Sequence, residues 1–196
     1  MGIQERKERE RANMRSLILE TANSLFISKG FDNISIRNIA KIIEYSPATI
    51  YLYFKDKEEI IFSLRNTFIE DLLEQLEEFS FIKDHISRLK NLSNSWFDFA
   101  INNPDKYELI FIKDGKLKDG SIYPYVQDLI LKCMNDNLLF RMPIQEATTM
   151  IISYLHGLSQ LALRDKLDIG SKSELKDFAG NLINRYLTSL KGAAAI

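Results

Sequence analysis

The sequence has one cysteine, two histidines and four prolines, and these scarcities exclude several chemistries. Cys133 alone cannot close an intrachain disulfide and offers no thiolate metal cluster. The two histidines lie far from it and from each other, so neither a metal site nor a nucleophile–base pair is expected. The eight glycines are scattered, and none forms a phosphate-cradling loop. Carboxylates such as Glu77 and Glu78 fall in amphipathic charge runs that read as solvated helix faces. An enzyme is not expected, nor a cofactor or a metal. No apolar run approaches the roughly 18 residues of a membrane span. The opening "MGIQERKERERANMR" lacks the apolar block of a secretory signal, which leads to an expectation of a cytoplasmic protein.

What is present is an ordinary globular composition, 45% apolar and 27% charged, with a net charge of −1. The charge is unevenly placed. Residues 1–57 hold ten Lys/Arg against seven Asp/Glu, whereas residues 58–196 hold sixteen against twenty. The basic excess at the front fits a polyanion partner, and it equally fits a solvated helix of mixed charge.

Periodicity is helical throughout and strand-like alternation is absent, so the fold is expected to be all-α. Leu17, Ile18, Ala22, Leu25 and Phe26 recur at three- and four-residue spacing before Gly30, which predicts a helix over about 8–29. Ser35 can cap a short helix carrying Ile36, Ile39, Ala40 and Ile43. Ser46 and Pro47 fit the N-cap and first turn of another. Asp56 to Glu59 has the form of a capping box and opens a longer helix to about 79. Further helices are predicted at about 83–102, 104–113, 122–140, 143–165 and 172–190. "KDGKLKDGS" (113–121) reads as a loop, and the terminal "GAAAI" carries no weight.

Two short helices joined by a tight turn, at about 36–43 and 47–53, have the layout of a helix-turn-helix. In that motif the second helix enters the DNA major groove. Ile50 and Phe54 are four apart and share a face that can pack on Ile39 and Ala40. Pro47, Ala48, Thr49, Tyr51 and Tyr53 then spread over the other faces. Ala48 or the Pro47 ring can meet a thymine methyl, and the three hydroxyls suit phosphate oxygens. Lys57 and Arg37 each stand at a helix start, where the macrodipole disfavours a cation. A phosphate held there by the lysine and backbone N–H groups would reverse that penalty. The bland alternative is a pair of solvated charges balanced by Asp56, Glu58 and Glu59.

Residues 15–62 resemble the DNA-binding domain of the TetR family of transcriptional regulators, through "ILETANSLFISKGFDNISIRNIA" and "SPATIYLYFKDKEEII". The resemblance implies that Thr49, Tyr51, Tyr53 and Lys57 hold phosphate, and that Pro47, Ala48 and Leu52 touch bases. It places Ser35 and Arg37 at a backbone clamp on the preceding helix, with Ser46 at the recognition-helix cap. The family's turn reads Ala-Gly-Val, but here it is Ile43-Glu44-Tyr45. Glu at positive φ costs roughly 1 kcal/mol relative to Gly. Either Glu44 accepts that backbone, or the turn is rearranged and the recognition helix tilts.

The implied organisation is a helix-turn-helix domain over 1–56 and a larger helical effector-binding and dimerisation domain over 57–196. "ISYLHGLSQLALRDKL" (152–167) resembles the Trp-His-Gly type of C-terminal domain, with Leu in place of Trp. Candidate ligand-lining residues are Trp96, Phe99, Phe111, Tyr123, Met150, Tyr154 and His156, although aromatics at helical spacing are also ordinary core. Candidate dimer-interface residues are Leu155, Leu158, Ala162, Leu182, Tyr186 and Leu190, stripes that serve an intramolecular core equally well. The functional expectation is a homodimeric, ligand-responsive regulator. Family habit implies a repressor on a palindromic operator, released by a largely apolar small molecule. The rival is a helical ligand-binding or interaction protein whose DNA reader is inactive, and the missing turn glycine is its best argument.

Overall fold

The computed structural model describes residues 2–30, 34–112 and 122–191. The expected loop at 113–121 and the terminal segment at 192–196 lie outside the described residues. Among those described there is no strand, and the chain divides into two compact units, 1–68 and 69–196.

In the first unit, α1 (Ile3–Lys29) starts a turn earlier than the apolar pattern indicates. Its opening turns are held by local pairs: Gln4 bonds Glu8 at 3.0 Å and Arg6 bonds Glu10 at 2.8 Å. Ile18, Ala22, Leu25 and Phe26 form its buried face. α2 (Ile36–Ile42) is capped by Ser35, whose hydroxyl accepts the Asn38 N–H at 3.1 Å, and it buries Ile36, Ile39 and Ala40. α3 (Pro47–Tyr51) has Pro47 in its first turn, where a missing N–H costs nothing. It is shorter than expected because the chain tightens after Tyr51. The Leu52 and Tyr53 N–H groups both make three-residue bonds, to the Thr49 and Ile50 carbonyls.

α4 (Lys57–Glu77) contributes Ile60, Leu64 and Phe68 to the first unit's core. Phe68 meets Phe26 at a ring-centroid distance of 5.8 Å. These contacts explain why the compact division falls within α4 and not at its start.

The second unit is built on α5 (His85–Asn102), which packs against α6 (Pro104–Phe111), α7 (Ile122–Asn135), α8 (Ile144–Leu163) and α9 (Lys172–Ser189). α5 buries Leu89, Leu92, Trp96, Phe97 and Ala100 on the faces it turns to them. Asn103 ends α5 and also precedes Pro104 at the start of α6. α7 stops earlier than the apolar pattern indicates. Asn137 takes φ 57° and the Leu138 N–H returns to the Cys133 carbonyl at 2.9 Å. That bond closes a left-handed helix stop. α9 opens on a reciprocal cap between Ser171 and Glu174, at 2.8 and 3.2 Å.

Candidate functional site

α3 is two-faced. Ile50 and Phe54 are 0% and 1% exposed, buried in the first unit with Ile39 and Ala40. Ser46, Pro47, Ala48, Tyr51 and Leu52 are exposed, Leu52 to 72%. An aliphatic side chain that open to water gains nothing from folding, so the outward face is not a consequence of core packing. Thr49 and Tyr53 are half-buried at its flanks.

The caps refine the hydroxyl roles. Ser46 Oγ accepts the Thr49 N–H at 3.1 Å and lies 3.0 Å from Thr49 Oγ1. One of those two hydroxyl protons is therefore shared within the pair, leaving one to donate outward. Ser35 is likewise spent as an acceptor on α2 and keeps its proton. Arg37, in the first turn of α2, is exposed.

The start of α4 differs from the expected arrangement. Asp56 Oδ1 accepts the Glu59 N–H at 2.8 Å, but Glu59 Oε2 accepts from the Lys55 N–H at 2.7 Å and not from Asp56. Of the N–H groups in the first turn of α4, that of Glu59 is thus taken by Asp56, while the Glu59 carboxylate holds the Lys55 N–H just ahead of the helix. The Lys57 side chain beside them is half-buried.

The turn between α2 and α3 answers the question raised by Glu44. It adopts φ 60°, the Ile43 N–H bonds the Ile39 carbonyl at 3.1 Å, and the Tyr45 N–H bonds the Ala40 carbonyl at 3.0 Å. This is the six-to-one bond of a left-handed helix stop. Glu44 therefore supplies the backbone that a glycine would, and the argument for an inactive reader loses its basis.

Arg15 is a participant that the sequence did not point to. From the exposed half of α1 it donates to the Tyr53 carbonyl, lies 4.0 Å from the centroid of the Phe54 ring, and approaches Glu59 at 3.5 Å. It joins α1, the end of α3 and the start of α4 at one point. No short-range pattern reveals a contact across 38 residues. An arginine preceding an otherwise apolar helix face was the only sign.

In the second unit, three of the seven ligand candidates come together. Trp96, Phe111 and His156 contact one another at centroid distances of 4.4 to 5.2 Å, and Tyr107 completes the cluster. The Tyr107 hydroxyl lies 2.5 Å from His156 Nδ1. Burial lowers the His156 pKa, so the ring is neutral near pH 7; the phenol donates to Nδ1 and the ring proton sits on Nε2. Burial pushes the Tyr107 phenol up to about 12, against the opposing pull of nearby Ser159 and Trp96. Those two donors approach the Tyr107 oxygen, yet among the described residues neither Trp96 Nε1 nor Ser159 Oγ makes a well-formed hydrogen bond.

The other four candidates lie elsewhere. Phe99 is buried core, and Tyr154 stacks on Tyr186 at 4.0 Å. Met150 lines an apolar crevice with Met134 and Met142, and Tyr123 lines a shallow cleft of about 350 Å³ with Gln127 and Gln145. Two of the dimer candidates are corrected. Leu155 and Leu158 are spent on the protomer's own core, because α8 turns that side inward. Ala162, Leu182, Tyr186 and Leu190 stay half-buried, with Leu161 and Phe178 more exposed.

A capped pair of short helices with an outward polar and aromatic face, on a chain with a separate helical body, has the layout of a helix-turn-helix protein. Comparison with known proteins narrows the class. Residues 18–64 match the model for the bacterial regulatory proteins of the tetR family. The uncharacterized HTH-type transcriptional regulator YuxN of Bacillus subtilis is 24% identical over 200 residues. That match spans 95% of this chain but only 64% of YuxN. The negative transcriptional regulator of the biofilm operon icaADBC in Staphylococcus aureus, IcaR, is 24% identical over 188 residues. It covers 89% of this chain and 99% of IcaR. Among solved structures, a TetR-family transcriptional regulator from Pectobacterium atrosepticum aligns with TM-score 0.72 at 16% identity, over 93% of this chain and 96% of that one. The transcriptional regulator FadR from Bacillus subtilis, in complex with stearoyl-CoA, aligns with TM-score 0.69 at 18% identity, over 89% and 97%. Residues 18–64 thus match the DNA-binding segment of the tetR family, and over most of its length the chain is similar to HTH-type transcriptional regulators.

Proposed function

We propose that this regulator binds an inverted-repeat DNA operator as a cytoplasmic homodimer, represses transcription there, and is released by a small, largely apolar molecule taken up in the second unit. The observation that carries the reading is the division of α3 between a fully buried side, Ile50 and Phe54, and an outward side that packing does not explain. On that side Pro47, Ala48 and Leu52 meet base edges, while Tyr51, Tyr53 and Lys57 hold phosphates. The spare hydroxyl protons of the Ser46–Thr49 pair and of Ser35 donate to the backbone, and Arg37 adds charge beside them.

Repression is supported by the naming of IcaR as a negative regulator, and ligand response by the stearoyl-CoA held in FadR. The dimer is supported by the outer stripe of α8 and α9, where Leu161 and Phe178 stay 47% and 40% exposed beside Ala162, Leu182 and Tyr186. A dimer places two α3 helices for half-sites about one helical turn apart or a multiple of it. An effector that favours one head spacing over the other shifts the population between bound and released states. The test is a footprint of the purified protein on the DNA upstream of its own gene. Protection of an inverted repeat supports the reading, and uniform, sequence-independent retention of all duplexes contradicts it.

A further inference from the structure

The second unit contains two orphaned donors in one place. Trp96 is 1% exposed and Ser159 0%, and each has a buried polar atom without a well-formed hydrogen bond among the described residues. Native proteins leave few buried polar groups unsatisfied, and those they leave often mark a site. Both donors approach the Tyr107 oxygen, whose own proton is committed to His156. The surroundings are rings: Trp96 meets Phe111 at 4.4 Å and His156 edge-on at 5.1 Å. Phe111 and His156 are only half-buried, so this side of the cluster is reachable from outside.

We propose that Trp96, Tyr107, His156 and Ser159 form the polar pole of the effector site, and that the effector is an uncharged aromatic compound recognised through a hydroxyl or carbonyl oxygen. This rests on the ligand-responsive reading above and names the class of ligand. An acceptor oxygen between Trp96 Nε1–H and Ser159 Oγ–H satisfies both donors at once. The ring walls favour a planar body, since aromatic pairs gain from edge-on and offset contacts. Among the described residues, no charged side chain takes part in the ring or hydrogen-bond contacts given for the cluster. A carboxylate or ammonium would therefore be desolvated there without a counter-ion.

Trp96 is the only tryptophan in the chain, so its emission reports this site directly. The experiment titrates the intact protein, without DNA, with phenol, toluene and benzoate, and compares wild type with Ser159→Ala. Phenol is expected to give a saturable change, with toluene and benzoate each weaker by about fivefold or more. Ser159→Ala should weaken phenol by about two- to tenfold, the worth of one neutral hydrogen bond. The same variant should melt at an unchanged or higher temperature in the absence of phenol, because it removes an unsatisfied hydroxyl.

No saturable response to phenol overturns the proposal, as does equal binding of toluene or benzoate. A Ser159→Ala protein that melts lower and binds phenol normally also overturns it, because the hydroxyl then serves only structure. Phenol that binds at Trp96 but leaves the operator complex intact supports the site and counts against the release mechanism alone.

Discussion

Glu44→Gly isolates a local conflict in the turn between α2 and α3. Glu44 holds φ 60°, and its exposed side chain makes no hydrogen bond or ion pair within the described residues. The substitution therefore changes backbone preference and little else. Relief of the left-handed conformation is worth about 1–2 kcal/mol. Glycine gives back about 0.4–1 kcal/mol through the extra freedom of the unfolded chain. The net gain is about 0–1.6 kcal/mol, or up to roughly 6 °C in melting temperature for a chain of this size. Calorimetry measures the shift, and an operator titration on the same samples measures affinity. Because the turn already has the glycine-like backbone, closed by the Tyr45 N–H to Ala40 carbonyl bond, the pose of α3 and the operator affinity should not change. A lower melting temperature, or an affinity altered by more than about threefold (beyond roughly 0.7 kcal/mol), would refute the reasoning.

Three other perturbations follow from the same geometry. Arg15→Met should weaken operator binding without altering its salt dependence, because Arg15 positions the end of α3 and touches no phosphate; a reduced salt slope would place it on the DNA instead. Burial lowers the His156 pKa below 6.5, so its contribution to stability is present above pH 6.5 and is lost as pH falls through the lowered folded value. His156→Gln should flatten that acid limb in denaturant titrations run across the range, and an unchanged limb assigns it to other groups. Cys133 is fully buried and its thiol is pushed up to about 12, so a thiol reagent should label it only upon unfolding. Rapid labelling of the native protein would contradict that burial.

The reader was legible because its signals are local. Capping serines, the Pro47 start and the four-residue spacing of Ile50 and Phe54 fix α2 and α3 within a few residues of where they lie. Helix stops were less legible. At Glu44, Asn137 and Asp165 the left-handed position is filled by a residue other than glycine, so no breaker announces it. Long-range pairing was hidden. Arg15 lies on a charged stretch that resembles a solvated helix, and its partners are far along the chain. The apolar stripes of α8 did not reveal which way they face. Leu155 and Leu158 point inward because α5 and α7 flank that side, a fact of packing and not of periodicity.

The central claim is that the outward face of α3 and the start of α4 hold DNA phosphates, and salt dependence measures this most directly. Operator affinity of the wild type and of Lys57→Ala is measured across a series of salt concentrations. Each phosphate neutralised contributes about 0.9 to the slope of log affinity against log salt. With one Lys57 in each protomer of a dimer, the account predicts a steep wild-type slope that flattens by about 1.8 in the variant. Equal slopes for the two proteins would contradict it.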